Sequence, residues 1–253
     1  MMILLGAVLV VLPPLHGQSA TSPTWDGTYR RIYTPILAYQ RVGGGAPDDQ
    51  RTISPDYFQQ HIEYLFYQGY TPISLYDLDA ALLTGAPLPA EPVILTFDGG
   101  TRDHYQTVFP VLLERGFAGA FFVPTGPPDA ADPESMSWEQ IVEMSAAGMA
   151  MESQTKTMPD LRERAYDFLV YELLGSFESL NAYTGRQARM FAYPMGLYDE
   201  QVLAVLDTME IARALTLQNG STHTNDNRLL VSRRLVTSQT DVNALATLLQ
   251  RGG

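Results

Sequence analysis

The sequence predicts an α/β fold organised around a parallel sheet, and three observations carry the prediction. From about residue 30 onward, short β-branched or aromatic runs alternate with helical patterns. The run Pro92-Val93-Ile94-Leu95-Thr96-Phe97-Asp98 is continuously apolar until its final carboxylate, as expected of a parallel strand covered on both faces. No repeat, low-complexity block or long Pro/Gly-rich break divides the chain, so residues 34–253 read as one domain, a length that a barrel fills.

Each element has a local reason. Residues 34–40 form a first strand, followed by a loop containing Gly43, Gly44 and Gly45. Ser54 as N-cap and Pro55 at the first helical position open a helix that carries Phe58, Ile62, Leu65 and Phe66 on one face and stops at Gly69. A second helix over 75–83 lies between Ser74 and Gly85. After the strand at 92–98, Tyr105, Val108, Phe109, Leu112 and Leu113 make a helical stripe closed by Gly116. A strand at 120–123 leads into a Pro-rich loop through Pro133, and Ser137 with Gln140 forms a capping box for a helix ending near Gly148. Strands are expected at 149–153, 189–193, 212–217 and 229–235, with helices at 161–183 and 201–208 between them. Asp241 caps a last helix at 242–249.

Composition excludes several function classes. Sixteen Lys and Arg against twenty-eight Asp and Glu leave a net charge of −12, a field that repels phosphate backbones, so no nucleic acid partner is expected. With no Cys, the chain has no disulfide, thiolate nucleophile or Cys-based metal site. Any metal would rest on carboxylates and only four His. Residues 1–12 are almost wholly apolar, and small residues at 17–20 offer a cleavage site. Residues 1–22 therefore read as a signal peptide or apolar N-terminal segment, and 23–33 as a short linker. An extracytoplasmic protein, secreted or associated with a membrane through that segment, is the expectation.

Reactive groups of parallel α/β folds gather where strands end. Three segments put notable residues there: Thr96-Phe97-Asp98-Gly99-Gly100, the stretch from Glu152 through Gln154 and Met158 to Leu161, and Phe191-Ala192-Tyr193-Pro194-Met195-Gly196. With the opening Ile36-Leu37-Ala38-Tyr39-Gln40-Arg41-Val42 and the segment from Phe109 to Val123, these pieces resemble, in order, the motifs of the polysaccharide deacetylases, the NodB homology domain. The resemblance runs from roughly Pro35 to Val236. It implies a distorted (β/α) barrel and metal-assisted hydrolysis of acetyl groups on glycans, in which a carboxylate base works beside a divalent ion held by a carboxylate and two His.

Carried over residue by residue, the resemblance makes Asp98 the base. It places Gly99 where the metal-binding Asp belongs, and Gln154 and Met158 where the two His belong. Gly has no side chain, Gln offers a neutral amide oxygen, and a thioether suits soft ions, so no metal ligand and no cofactor is assigned. Gln40 also replaces the His of the opening motif, and Met195 a Tyr. The expected function is that of a deacetylase-like, glycan-binding pseudoenzyme whose partner is a glycan or cell-envelope polysaccharide, with Gln40, Gln154 and Tyr193 as substrate-binding residues beside Tyr39. The alternative is a surviving deacetylase or esterase with a rearranged or metal-free site using Asp98, with His104 as a further ligand.

Asp98 itself reads equally well as a residual base or sugar acceptor and as a structural aspartate bonding the amides of its own turn. Without a cation beside it, it loses its main reason to stay ionised. His61 reads as a partly exposed helical residue and His223 as part of a surface turn. Glu152, Asp103 and Asp160 read as solvated loop charge, and Lys156 and Arg189 as surface or ion-pair groups.

Overall fold

The structure, a computed structural model, describes residues 23–44, 49–209 and 211–250. The segment read as a signal peptide lies outside the described residues. The first part contains β1 (Arg31–Tyr33), β2 (Ile36–Tyr39), β3 (Arg41–Val42), β4 (Thr52–Ile53), α1 (Pro55–Tyr67), β5 (Thr71–Pro72), α2 (Leu75–Thr84) and β6 (Pro92–Asp98). A π-turn at His104–Val108 leads into α3 (Phe109–Arg115), then β7 (Ala120–Val123), α4 (Gly126–Asp129), α5 (Trp138–Ala146) and β8 (Ala150–Ser153). The last part holds α6 (Tyr166–Thr184), β9 (Met190–Ala192), a 3₁₀ turn at Pro194–Gly196, α7 (Glu200–Thr208), β10 (Arg213–Asn219), β11 (Thr222–Thr224), β12 (Val231–Leu235) and α8 (Val242–Leu248).

Seven parallel strands close into a barrel in the order β2-β12-β10-β9-β8-β7-β6, with β6 pairing back onto β2 through Ile36↔Ile94 to Tyr39↔Phe97. Closure satisfies both edges of the sheet. Side chains alternate strictly. Ile36, Ile94, Phe122, Met190, Leu215 and Val231 fill the lumen, whereas Leu37, Tyr39, Phe97, Phe121 and Phe191 point outward beneath the helices. Helix α2 closes the N-terminal mouth, since Leu75, Leu78 and Leu82 pack into the lumen cluster with Ile73 and Ala212. Burial of this kind contributes roughly 25 cal/mol per Å² of apolar surface.

Local signals account for most boundaries. Ser54 accepts from the Tyr57 amide and starts α1, and Ser74 with Asp77 and Ser137 with Gln140 form complete capping boxes. The stripe after β6 departs from a plain helix. Pro110 has no N–H for the Gln106 carbonyl and its ring would crowd that turn, so the chain widens and the Phe109 amide bonds back to His104. Helix α6 begins later than expected, at Tyr166, because Ala165 is extended and Glu163 has φ +58°. The Pro-rich loop contains α4, and short strands β1 and β11 pair across the barrel's side.

Two histidines are corrected by the fold. His61 is fully buried: its Nε2 donates to the Thr240 carbonyl at 2.9 Å and its Nδ1 accepts from the Tyr39 hydroxyl at 3.2 Å. His223 is a buried residue of β11 that donates to the Thr34 carbonyl at 2.9 Å, and burial brings its pKa down to about 4. Both act as neutral struts, locked by partners far away in sequence.

Candidate functional site

The open, C-terminal end of the barrel is built by the segments that follow β2, β6, β7 and β8. Strand parity decides which side chains face it. On β6, Thr96 and Asp98 continue the inward series of Ile94, and on β12 Arg233 continues that of Val231. Arg233 reaches across the lumen and grips Asp98 with two parallel bonds, Nη1 to Oδ1 at 2.7 Å and Nη2 to Oδ2 at 2.8 Å. It also donates to Thr96 Oγ1 at 3.1 Å and, through Nε, to the Thr216 carbonyl at 2.9 Å, with its guanidinium 5.7 Å above the Phe122 ring. Asp98 therefore has a cation beside it after all, and it bonds Arg233 rather than the amides of its own turn. A fork-to-fork pair of this geometry holds the carboxylate in one orientation.

Gly99 and Gly100 follow with φ of +105° and +57°. A Cβ on Gly99 would meet only Thr101 Cγ2 at 3.7 Å, so what excludes a side chain there is backbone conformation, not space. At Gly100 space is the limit, since a Cβ would come within 3.1 Å of Val123 Cγ1 and Pro124 Cδ.

Gln154 continues the inward series of β8 and is almost fully buried, with its backbone N–H donating to the Val123 carbonyl at 3.2 Å and its side-chain Oε1 without a partner among the described residues. Gln40, just past β2, likewise has a buried, unpartnered Oε1, as does Thr125 at its Oγ1. Unpaired buried acceptors and hydroxyls are costly, about 1–3 kcal/mol each, and rare enough to mark a place where polar partners are wanted. The loop beyond Gln154 is rigidly held. Glu172 of α6 accepts from the Lys156 and Thr157 amides at 2.9 Å each and from the Thr157 hydroxyl at 2.7 Å. Thr155 and Met158 adopt left-handed φ of +69° and +55°, and the Met158 amide donates to Thr155 Oγ1 at 2.9 Å.

Other sequence-predicted residues lie elsewhere. Tyr193 has outward parity and is fully buried: its ring meets Phe191 edge-on at 5.2 Å and its hydroxyl donates to the Leu229 carbonyl at 2.9 Å. It is a strut of the outer core rather than a rim residue, and so is Tyr39, stacked on Phe97 at 5.3 Å. His104 is also on the outer side, edge-on to Phe97 and Phe121, with Nε2 donating to the Gln40 carbonyl at 2.6 Å. Burial lowers its pKa, which keeps it neutral. Its side chain cannot join Asp98 around an ion, because the two occupy opposite faces of the wall. Among the described residues no group of three or more His, Asp or Glu is placed to hold a metal ion.

Glu152, expected in solvent, lies in the lumen. It accepts from the Tyr76 hydroxyl at 2.8 Å and from the Arg189 and Met190 amides at 3.0 and 2.8 Å, and burial pushes its pKa up to about 7. Asp160 instead pairs with Arg162 at the surface, and Lys156 with Asp129. Asp103 accepts from the Val42 amide. The sequence reading missed Arg233 and Glu172. Inward parity from Val231 was the one signal available for Arg233.

The comparisons agree with this architecture. A family profile described as polysaccharide deacetylase matches residues 85–214. YxkH of Bacillus subtilis (strain 168), a polysaccharide deacetylase by name, is 25% identical over 198 residues, which cover 78% of this chain and 69% of that protein. A stretch of 66 residues is 38% identical to the poly-beta-1,6-N-acetyl-D-glucosamine N-deacetylase of Escherichia coli (strain K12), covering 25% of this chain and only 10% of that protein. The Streptococcus pyogenes deacetylase PplD, solved with acetate, superposes with a TM-score of 0.81 over 88% of this chain and 100% of its own, at 22% identity, a likeness of fold. With the closed parallel barrel and half of its length matched by the profile, the chain belongs to the polysaccharide deacetylase family.

Proposed function

We propose that this chain is a glycan-binding member of its family in which metal-assisted deacetylation has been lost. The observation that supports this best is the set of groups at the rim positions where the family resemblance calls for ligands. Gly99 contributes no donor and sits at a φ unfavourable to any side chain, Gln154 contributes a neutral carboxamide, and Met158 a thioether. A hard or borderline divalent ion wants carboxylate and imidazole, so this donor set does not fit the group the resemblance implies.

What remains suits recognition. Asp98, fixed by Arg233, is an oriented acceptor, and the carboxamides of Gln154 and Gln40 combine donor and acceptor in one planar group. Sugar hydroxyls and the acetamido N–H of an N-acetylated saccharide are complementary to these groups. That the E. coli relative is named for an N-acetylglucosamine polymer supports the choice of an N-acetylated glycan. The apolar segment at 1–22 supports placing the protein on the extracytoplasmic side, where such polymers are met. Among the described residues no helix is long and apolar enough to cross a membrane.

The test is calorimetric titration of the chain with N-acetylglucosamine oligomers. Binding weakened about five- to tenfold by Gln154→Ala, the worth of one lost hydrogen bond at a buried site, supports the reading. Release of acetate from the same oligomer at a rate abolished by Asp98→Asn overturns it in favour of a surviving hydrolase.

A further inference from the structure

A second polar feature opens on the same end of the barrel. The loops after β6 and β7 enclose a cavity of about 350 Å³ lined by Arg102, Gln106, Asp132, Ser135, Ser137 and Gln140, among others. Its walls are fixed by backbone bonds between the two loops, with the Arg102 amide donating to the Glu134 carbonyl at 2.9 Å and the Met136 amide to the Gly100 carbonyl at 3.0 Å. Thr101 is bridged to Ser135 in the same place. The cavity is thus tied directly to Gly100, two residues from Asp98.

Arg102 is its conspicuous member. It is half-buried, and among the described residues its guanidinium has no ion pair and no hydrogen bond, although acids outnumber Lys and Arg by twenty-eight to sixteen in the chain. Most of the other cations are engaged: Arg233 with Asp98, Arg213 with Asp79, Arg228 with Asp207, Lys156 with Asp129, Arg41 with Asp103. Asp132 lines the cavity too, but it accepts from the Glu134 amide at 2.9 Å and does not pair with Arg102. The remaining lining is uncharged and mixes polar side chains with Pro128, Ala131, Pro133 and Met136. The Gln140 side-chain oxygen is used in the capping box and the Ser137 hydroxyl is engaged by the Gln140 amide and the Glu139 carboxylate, which leaves the Gln140 N–H₂ as a donor. A half-buried guanidinium with five unused donors, in a cavity that also holds the Gln140 N–H₂, is complementary to a planar oxyanion.

We propose that this cavity is a subsite for an anionic sugar residue, a uronate whose carboxylate takes the Arg102 fork while the neighbouring N-acetylated sugar lies at the Asp98 rim. The inference rests on the glycan-binding reading and sharpens it from a neutral to an acidic heteropolymer. Recognition by Arg102 then selects the polymer, and the rim residues select its N-acetylated units.

The experiment is a pair of calorimetric titrations on the full chain, at fixed low ionic strength. One uses an oligosaccharide alternating N-acetylglucosamine with glucuronate, the other an N-acetylglucosamine oligomer of equal length. The acidic oligomer is expected to bind about tenfold more tightly, the discounted worth of one partly exposed charge-assisted contact. Arg102→Gln should erase that difference and leave neutral binding unchanged, whereas Arg186→Gln, an exposed arginine at the far end of α6, should alter neither. Equal affinities for the two oligomers, or an acidic preference that survives Arg102→Gln, overturn the subsite alone. Failure of both oligomers to bind overturns the glycan-binding reading with it.

Discussion

Replacing Arg233 with Met removes the guanidinium that holds Asp98 and keeps a side chain of similar reach. Both members of the pair are out of solvent, at 0% and 5% side-chain exposure. The variant leaves a carboxylate in the lumen with no counter-charge, and it also strips donors from Thr96 Oγ1 and the Thr216 carbonyl. Breaking a buried pair on one side typically costs about 3–5 kcal/mol. Against a total stability of about 5–15 kcal/mol, that is a large fraction. Asp98→Leu in the wild-type background should be costly in the same way, since it abandons the buried cation. The double variant Arg233→Met/Asp98→Leu buries no charge and should recover at least about 2 kcal/mol of the summed single losses. Urea unfolding followed by circular dichroism at pH 7 measures all four corners of the cycle. If Arg233→Met costs less than about 1 kcal/mol with an unchanged m-value, Asp98 is compensated by something other than Arg233, and the reasoning about the rim fails. Should the single variants not fold, a folded double variant still carries the prediction.

Glu152 supplies a pH dependence whose sign is fixed by its direction of shift. Its folded pKa of about 7 lies above the usual carboxyl value, so the folded state holds a proton that the unfolded chain releases. The stability this contributes is present in full below about pH 4.3 and is lost as pH rises through 7, at about 1.4 kcal/mol per unit within that window. Glu152→Gln should flatten the window in urea titrations at pH 5 and pH 8, and an unchanged slope would assign the dependence to another group. The triple variant Gly99→Asp/Gln154→His/Met158→His should acquire zinc binding at micromolar or tighter Kd, at a stability cost of about 1–3 kcal/mol for a non-glycine at φ +105°. A folded triple variant that ignores zinc means the ligand positions were wrongly matched. Tyr193→Phe should lose about 1 kcal/mol, the worth of its bond to the Leu229 carbonyl, while leaving oligosaccharide affinity untouched; weakened binding would return Tyr193 to the rim.

What the sequence made legible was local. Ser54, Ser74, Ser137 and Asp241 cap helices at their own N-termini, and the apolar run at 92–98 coincides with β6, because these features are settled by neighbours within a few residues. What it hid was long-range. The partner of Asp98 lies 135 residues away, that of His223 lies 189 away, and that of His61 lies 179 away. Polarity suggested solvent for Glu152 and the histidines, but closing the barrel and packing β11 against its side enclosed them with specific partners. Tyr193 was a different kind of miss. Phe191 and Ala192 alternate large and small, and that alternation, read as parity, already turned Tyr193 away from the lumen. Strand ends alone do not say which face a residue presents.

Helix α2 sits across one mouth of the barrel with Leu75, Leu78 and Leu82 wedged into the strands. The tube is therefore blind-ended, and whatever reaches Asp98 must enter and leave by the same doorway. A polymer cannot thread through such a passage, so a saccharide chain would have to lie crosswise over the opening and dip a single unit or substituent toward the carboxylate. Neighbouring units would then rest on the surrounding loops, and those loops, more than the barrel itself, would decide which polymer fits.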